Sequence, residues 1–419
     1  MKLTLKQIRG FFLKLSLVVV VFGLGYGLGQ REVSFKLKGI KPEVKIERKV
    51  PYPQGKIDFN LFWEVWDLIS QKYLLRGNLN QGEMIYGAIS GMVASLGDPY
   101  TVFLPPAENK QAKEDLNGQF EGVGIQLGYK DGHLAVVAPL AGMPAEKAGV
   151  KAGDLILRIV DDNKKVDRET AGISLPEAVS LIRGTGGTIV KLTFGREGVN
   201  EPFTLELKRE TIIVKSVEVK FIQEGDKELA VLKLARFGER TAQEWEEAVN
   251  EIKNKKMNNK NYVGMILDLR NNPGGFLTGS VFIASEFMPE GVVVQQDKGE
   301  DGWESYSVNR KGNLYSDPLV VLINEGSASA SEIVAGALKE KRKGVKLVGV
   351  KTFGKGTIQE AQDFGDSGAG LHVTVARWLL PSGKSIDKEG VSPDFEIKMD
   401  EEDETKDPQL EKAIELLVN

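Results

Sequence analysis

The chain has 419 residues, room for two or three domains rather than one core. Its 41% hydrophobic, 27% charged and 8% aromatic residues are ordinary globular composition, which excludes a disordered, collagen-like or multi-pass membrane protein. Lys and Arg number 55 against 59 Asp and Glu, cysteine is absent, and His133 and His372 are the two histidines. Non-specific nucleic-acid binding therefore lacks electrostatic support, and disulfides, thiol nucleophiles and a three-histidine metal site are excluded.

The N-terminus reads as an export signal. Residues 15–30, LSLVVVVFGLGYGLGQ, carry no charge, and Phe11, Phe12 and Leu13 extend the apolar run upstream. The whole stretch is long enough to cross a hydrocarbon core of roughly 30 Å as a helix. Lys2, Lys6, Arg9 and Lys14 precede or interrupt it, and the first acid is Glu32. That asymmetry holds the N-terminus in the cytoplasm and sends the remainder across. No A-x-A cleavage pattern follows, so residues 1–30 are expected to be an uncleaved membrane anchor rather than a removed signal. The rest of the chain then lies in the cell envelope, on the periplasmic or extracytoplasmic side. Pro42, Pro51, Pro53 and the lack of a sustained period make 31–56 a tether. Two helices are expected in 57–111. One follows Asp58, with Phe59, Phe62, Val65, Trp66, Ile69 and Tyr73 at helical spacing. The other runs from about Glu83 to Leu96 and stops at Gly97-Asp98-Pro99.

From Gly118 the pattern turns to short strands separated by glycines. Gly122-Val123-Gly124-Ile125 leads into a strand, Asp131-Gly132 reads as a hairpin turn, and Leu134–Val137 as the returning strand. A short helix near Pro144–Ala148, a strand over Leu155–Val160, a helix over Leu175–Arg183 and strands at Ile189–Phe194 and Phe203–Lys208 follow. With the segment AGVKAGDLILRI, this resembles a PDZ domain over residues 112–209. In such a loop the backbone N–H groups of Gly122, Val123, Gly124 and Ile125 would form a nest for a peptide's C-terminal carboxylate, and the next strand would accept an extended peptide.

Residues 210–400 hold apolar runs at Val263–Leu269 and Leu319–Ile323 that are continuous rather than alternating, as in strands buried on both faces of a layered α/β core. Helices are expected at Ala242–Lys253, Thr278–Phe287 and Ser331–Lys341. The stretch 401–419 is an acidic linker and a helix, Leu410–Leu417; its EEDE run reads as solvated rather than metal-binding.

Three segments carry chemistry. After Leu319–Ile323 comes NEGSASASE and then a helix, which sets a serine hydroxyl where unpaired N–H groups favour a developing oxyanion; helix capping is the competing use of these serines. Gly349-x-x-x-x-Gly354-Lys355 looks like a phosphate loop but fails at Gly356, where a Ser or Thr is needed. The better reading is a general-base lysine between glycines, made neutral by burial, with Gln359 on the same strand face to accept from its amine. Asp268-Leu269-Arg270-Asn271-Asn272-Pro273-Gly274-Gly275 ends a buried strand in a turn that can present N–H groups to an oxyanion.

LRNNPGG, NEGSASASEI, TFGKGTIQ and GKSIDKEGVSPD, in that order after a PDZ-like segment, closely resemble the carboxyl-terminal processing (tail-specific) proteases, as does LGDPYTVFLPP before it. The resemblance implies an α/β multidomain fold: N-terminal membrane helix, small helical segment, PDZ domain (β-rich with two helices), and a layered, crotonase-like α/β protease core. It also implies a serine endopeptidase with Ser329 as nucleophile, Lys355 as base, Gln359 orienting the lysine, and an oxyanion hole from Ala330, Gly274 and Gly275. No cofactor or metal is implied. Relatives have one residue fewer between the dyad positions; the extra one is expected in the loop KEKRKGVK, 339–346. Expected partners are protein substrates with apolar C-termini, a regulatory protein acting on the PDZ domain, and the membrane; nucleic acid is not expected. The helices at 58–96 and 410–417 are the surfaces suspected in self-association as a homo-oligomer. Two alternatives stand beside this reading. One is a catalytically silent PDZ adaptor, and the other is a histidine triad built on His372.

Overall fold

The computed structural model describes residues 31–38, 41–48, 59–140, 142–400, 403 and 406–419. The expected membrane anchor, 1–30, lies outside them, and no helix among the described residues is long and apolar enough to cross a membrane. Two compact units divide the chain, 1–81 and 82–419.

In the first unit, β1 (Arg31–Lys38) and β2 (Lys41–Arg48) pair antiparallel, with Val33 opposite Ile46 and Phe35 opposite Val44. The stretch expected as a tether therefore contains a strand pair. Val33, Phe35 and Leu37 alternate, as do Val44 and Ile46, and Pro42 falls near a strand end, where proline is tolerated. Helix α1 (Asn60–Lys72) follows, as its helical spacing predicts.

The second unit begins one residue into α2 (Gln81–Ala94), which β3 (Val102–Leu104) and α3 (Pro106–Asn117) follow. Helix α3 has no clear apolar period, and its ends are set locally: Pro106 at the first position and Gly118 in the left-handed conformation after the last. The chain then enters the PDZ domain through β4 (Gln119–Gly122) and leaves it through β11 (Glu210–Ile213), which pairs with β4. Between them lie β5 (Ile125–Lys130), β6 (His133–Pro139), α4 (Pro144–Lys147), β7 (Leu155–Asp161), β8 (Val166–Glu169), α5 (Leu175–Ile182), β9 (Ile189–Gly195) and β10 (Phe203–Lys208). The sheet order is β10-β9-β7-β6-β5, with β8 on β7, so β5 is the outer strand. Leu134, Ile156, Ile159, Leu192 and Phe194 fill its core.

That domain buries one complete ion pair. Arg209 Nη2 lies 2.7 Å from Asp161 Oδ2, with side chains 1% and 0% exposed. Arg209 also donates to Ile182 O and Thr188 Oγ1, and Asp161 accepts from Asn163 N and Lys164 N. Burial works to raise the Asp161 pKa, but these donors hold it below the usual carboxylate range. Arg209→Met strands that charge. It should cost roughly 3–5 kcal/mol of PDZ stability, read as an earlier first transition in urea or thermal unfolding of the whole chain.

The protease core comprises β12 (Val217–Glu224), β13 (Lys227–Leu234), α6 (Thr241–Asn258), β14 (Tyr262–Asp268), α7 (Leu277–Phe287), β15 (Val292–Asp297), β16 (Trp303–Ser307), β17 (Leu319–Ile323), α8 (Ala330–Lys341), β18 (Lys346–Gly349), β19 (Thr357–Asp363), β20 (Gly370–Leu379), β21 (Phe395–Glu396) and α9 (Pro408–Val418). One sheet runs β12-β13-β14-β17-β18-β21, parallel from β13 onward. Met265, Leu267, Leu319, Val321 and Ile323 turn to one face, with Trp245 of α6, Phe287 of α7 and Ile333 of α8. Ile266, Val320 and Leu322 turn to the other, against Leu410, Ala413 and Ile414 of α9. Covering on both faces is why these strands read as continuous apolar runs. The same packing corrects one expectation: the apolar face of 410–417, suspected of self-association, is spent inside the unit. A second sheet runs β16-β15-β20-β19, and β3 joins it on β20.

Candidate active site

The turn between β17 and α8 holds three serines, and the structure separates their uses. Ser327 Oγ donates to Leu269 O at 2.8 Å and Ser331 Oγ to Asn272 O at 2.8 Å, both fully buried. Ser329 is half-buried and opens on a cleft of about 870 Å³. Its backbone sits at φ 55°, ψ −115°, a costly conformation for a residue with a side chain. A strained turn from a buried strand into a helix is how a nucleophilic hydroxyl is pushed out of the fold. Ser329 is also the residue preceding the first turn of α8, so capping position and exposed hydroxyl coincide.

Glu332, in that first turn, is fully buried and holds two segments together. Its Oε2 accepts from Ser329 N at 2.8 Å and Lys355 N at 2.9 Å. Its Oε1 accepts from Thr352 Oγ1 at 2.6 Å and Gly354 N at 2.7 Å. Burial pushes its pKa up, against these four donors. From the sequence Glu332 is legible only as a helix-capping acid.

The Gly274–Gly275 turn lies against Ser329. A β-carbon on Gly274 would come within 2.9 Å of Ser329 Cβ and 3.0 Å of Ala330 N; one on Gly275 would come within 2.1 Å of Phe237 O. Both glycines have positive φ, 100° and 138°. Gly274 N–H, expected in the oxyanion hole, instead donates to Asn272 Oδ1 at 2.9 Å. Asn272 is itself buried and bonded to Leu234 O, so this side chain shapes the turn. Among the described residues no acceptor takes Gly275 N–H or Ala330 N–H, and these two remain as donors facing the cleft.

Lys355 lies in the glycine-flanked loop before β19, with its carbonyl held by Trp378 Nε1 at 2.8 Å. Burial lowers its pKa, opposed by the charges of Asp98 and Glu332. Gln359 lines the same cleft but does not bond the lysine: its Nε2 donates to Thr357 Oγ1 at 2.9 Å and Thr374 Oγ1 at 3.1 Å. The expectation of a shared strand face fails for two reasons. Lys355 precedes the strand, and the ladder shifts register between Ile358 and Gln359. His372 of β20 also lines the cleft, its pKa lowered by burial and then by the charge of Lys355; His133 sits on the PDZ hairpin, outside it.

The second predicted constellation also converges. Gly122, Val123, Gly124 and Ile125 line a groove of about 100 Å³ with Leu127, Leu175, Val179 and Ile182, between outer strand β5 and α5.

Comparison with known proteins agrees with this geometry. The sequence pattern of Peptidase family S41 matches residues 228–397, that of a PDZ domain 136–196, and that of the activating protease CtpB N-terminal domain 36–107. The carboxy-terminal processing protease CtpA of Bacillus subtilis (strain 168) is 35% identical over 357 residues, covering 85% of this chain and 72% of that protein. A carboxyl-terminal-processing protease of Synechocystis sp. is 35% identical over 373 residues, covering 87% of this chain and 84% of that protein. An S41 protease from Bacteroides fragilis, 17% identical, superposes with a TM-score of 0.53 over 83% of this chain and 92% of its own, a likeness of fold. With serine turn, lysine loop and PDZ groove in one chain, and relatives matched along most of their length, this protein belongs to peptidase family S41, as a serine-type carboxyl-terminal processing protease with a PDZ domain.

Proposed function

We propose that this protease works outside the cytoplasm on an N-terminal anchor and cleaves protein substrates through an acyl-enzyme on Ser329, with Lys355 as general base. The single observation that carries the mechanism is convergence: Ser329, Lys355, Gln359, Gly275 and Ala330 line one cleft, though they lie on three separate loops, a strand and a helix N-terminus. Neutral Lys355 takes the hydroxyl proton as Ser329 Oγ attacks the peptide carbonyl. Gly275 N–H and Ala330 N–H receive the oxyanion, and the lysine returns its proton to the departing amine. Water, deprotonated by the same lysine, then attacks the acyl carbon; the bond to Ser329 Oγ breaks, the lysine returns the proton to Oγ, and the acyl group leaves as a carboxylic acid that ionises. The PDZ groove supports recognition of the substrate's C-terminus. An apolar last side chain fits among Leu127, Leu175 and Ile182, and the Gly122–Ile125 backbone meets the carboxylate. The uncharged run at 15–30 behind basic residues supports export and anchoring.

Mass spectrometry with a fluorophosphonate, alongside digestion of an unstructured protein with an apolar C-terminus, tests the mechanism. The expected adduct is on Ser329, with labelling and digestion both lost in Ser329→Ala and neither changed by a chelator. Digestion that survives in Ser329→Ala would overturn the reading.

A further inference from the structure

Lys355 is approached from outside the catalytic motifs. Its Nζ lies 4.9 Å from the ring centroid of Tyr100, within the range in which an ammonium is drawn to an aromatic face. Tyr100 belongs to the segment between α2 and β3, on the far side of the PDZ domain in sequence. That segment is fixed at both ends of the contact. Asp98 accepts from Tyr100 N at 3.0 Å and Thr101 Oγ1 at 2.7 Å, and Thr101 Oγ1 accepts from Thr374 N at 3.0 Å on β20. Thr374 is also the residue that holds Gln359. The Tyr100 segment and Gln359 are thus tied to one residue of β20, and the Tyr100 ring lies against Lys355.

We propose that Tyr100 is a positioning residue for Lys355: its ring seats the ammonium beside the cleft and, by favouring the charged form, sets the pH at which the lysine becomes available as a base. This rests on the reading of Lys355 as the base.

The charged groups around the lysine come from every neighbouring element. Asp98 stands on the Tyr100 segment, Glu332 on α8 and His372 on β20; Asp387 faces the tyrosine and accepts from Gly356 N. Hydrogen bonds from Thr374 and Thr101 hold Asp98 below the usual carboxylate range, so it is an anion whenever the enzyme works. Burial, then the charges of Asp387, Glu332 and Asp98, push the Tyr100 phenol up, so the ring stays neutral. Burial lowers the lysine's pKa; the acids oppose it, and so does the ring. Without that opposition the ammonium has no fixed seat in the half-buried loop.

The sign of the effect follows. A cation–π contact stabilises Lys355 in its charged form, so weakening it lowers the pKa of the base and moves the acidic limb of kcat/KM to lower pH. The test is the pH profile of kcat/KM on a peptide without titrating side chains, in the full chain carrying His372→Gln so that no imidazole titrates in the same window. Tyr100→Phe keeps the ring and should leave the limb in place. Trifluorophenylalanine at position 100, with the same shape and a weakened ring quadrupole, should move the limb down by roughly half a pH unit, and Tyr100→Leu by about one. The fluorinated ring keeps the test open if the leucine variant fails to fold. A limb identical for phenylalanine and its trifluoro analogue would overturn the role of Tyr100 alone. Lys355→Ala with activity and limb intact would overturn the base assignment and this inference with it.

Discussion

Lys355→Arg is expected to abolish cleavage as completely as Lys355→Ala, lowering kcat/KM by roughly 10³–10⁴ while the protein remains folded. Arginine preserves the charge and much of the length, so a lysine needed only as a cation would tolerate the exchange. A base cannot, because a guanidinium stays protonated throughout the working range. On the proposed reading, burial is what suits lysine to the role. Its pKa is lowered by burial in a glycine-flanked loop, and Asp98 and Glu332 limit how far it falls. Direct assay of both variants, with circular dichroism to confirm folding, checks the expectation. Activity retained in Lys355→Arg would make the lysine an electrostatic stabiliser instead.

Glu332→Gln should cost roughly 10²–10³ in kcat/KM, with a smaller effect on KM and a lowered unfolding temperature. Each carboxylate oxygen accepts two donors, and an amide nitrogen cannot accept in either orientation. Thr352 can relieve its own contact by rotating its hydroxyl and accepting from the amide with the lone pair that Val391 N, at 2.7 Å, leaves free. Even so, the amide leaves at least one buried backbone donor, Gly354 N–H, facing a donor, a penalty of about 1–3 kcal/mol. The catalytic loss is the sharper signal. The carboxylate that holds the N–H of Ser329, a residue at positive φ, also fixes the loop that carries Lys355. Steady-state kinetics beside thermal unfolding separates the two effects. A variant that loses stability but keeps kcat would make Glu332 structural only.

Much of this site was legible because short motifs carry it locally. Ser329 and Lys355 stand in stretches whose glycines and serines announce a turn, and the strand before Ser329 is a continuous apolar run. The partners that tune them were not legible. Tyr100 reaches Lys355 from the far side of the whole PDZ domain, and no local pattern encodes a contact at that separation. Glu332 reads as a first-turn acid because its cap bond is local, whereas Thr352, Gly354 and Lys355 meet it only in the folded core. Gly274 was misread as a donor for a related reason: the side chain two residues before it takes its N–H, and an Asn in a polar turn has several equivalent uses. In the fold, α3 escaped because its ends, not its apolar spacing, define it. The β1–β2 pair escaped because Pro42 outweighed two short alternating runs.

The β3–β20 pairing has a consequence for synthesis. Thr101 and Thr374, bonded backbone to side chain at that joint, are 273 residues apart in the chain. The PDZ domain, by contrast, completes every strand pair between residues 119 and 213. It can close as soon as it emerges, while β3 and the Tyr100 segment wait for a partner strand made near the end of translation. The nascent chain thus holds a folded peptide-binding module on an unfinished active site. On the proposed reading, Ser329 has no base until Lys355 has been made, so the chain can bind a peptide before it can cut one.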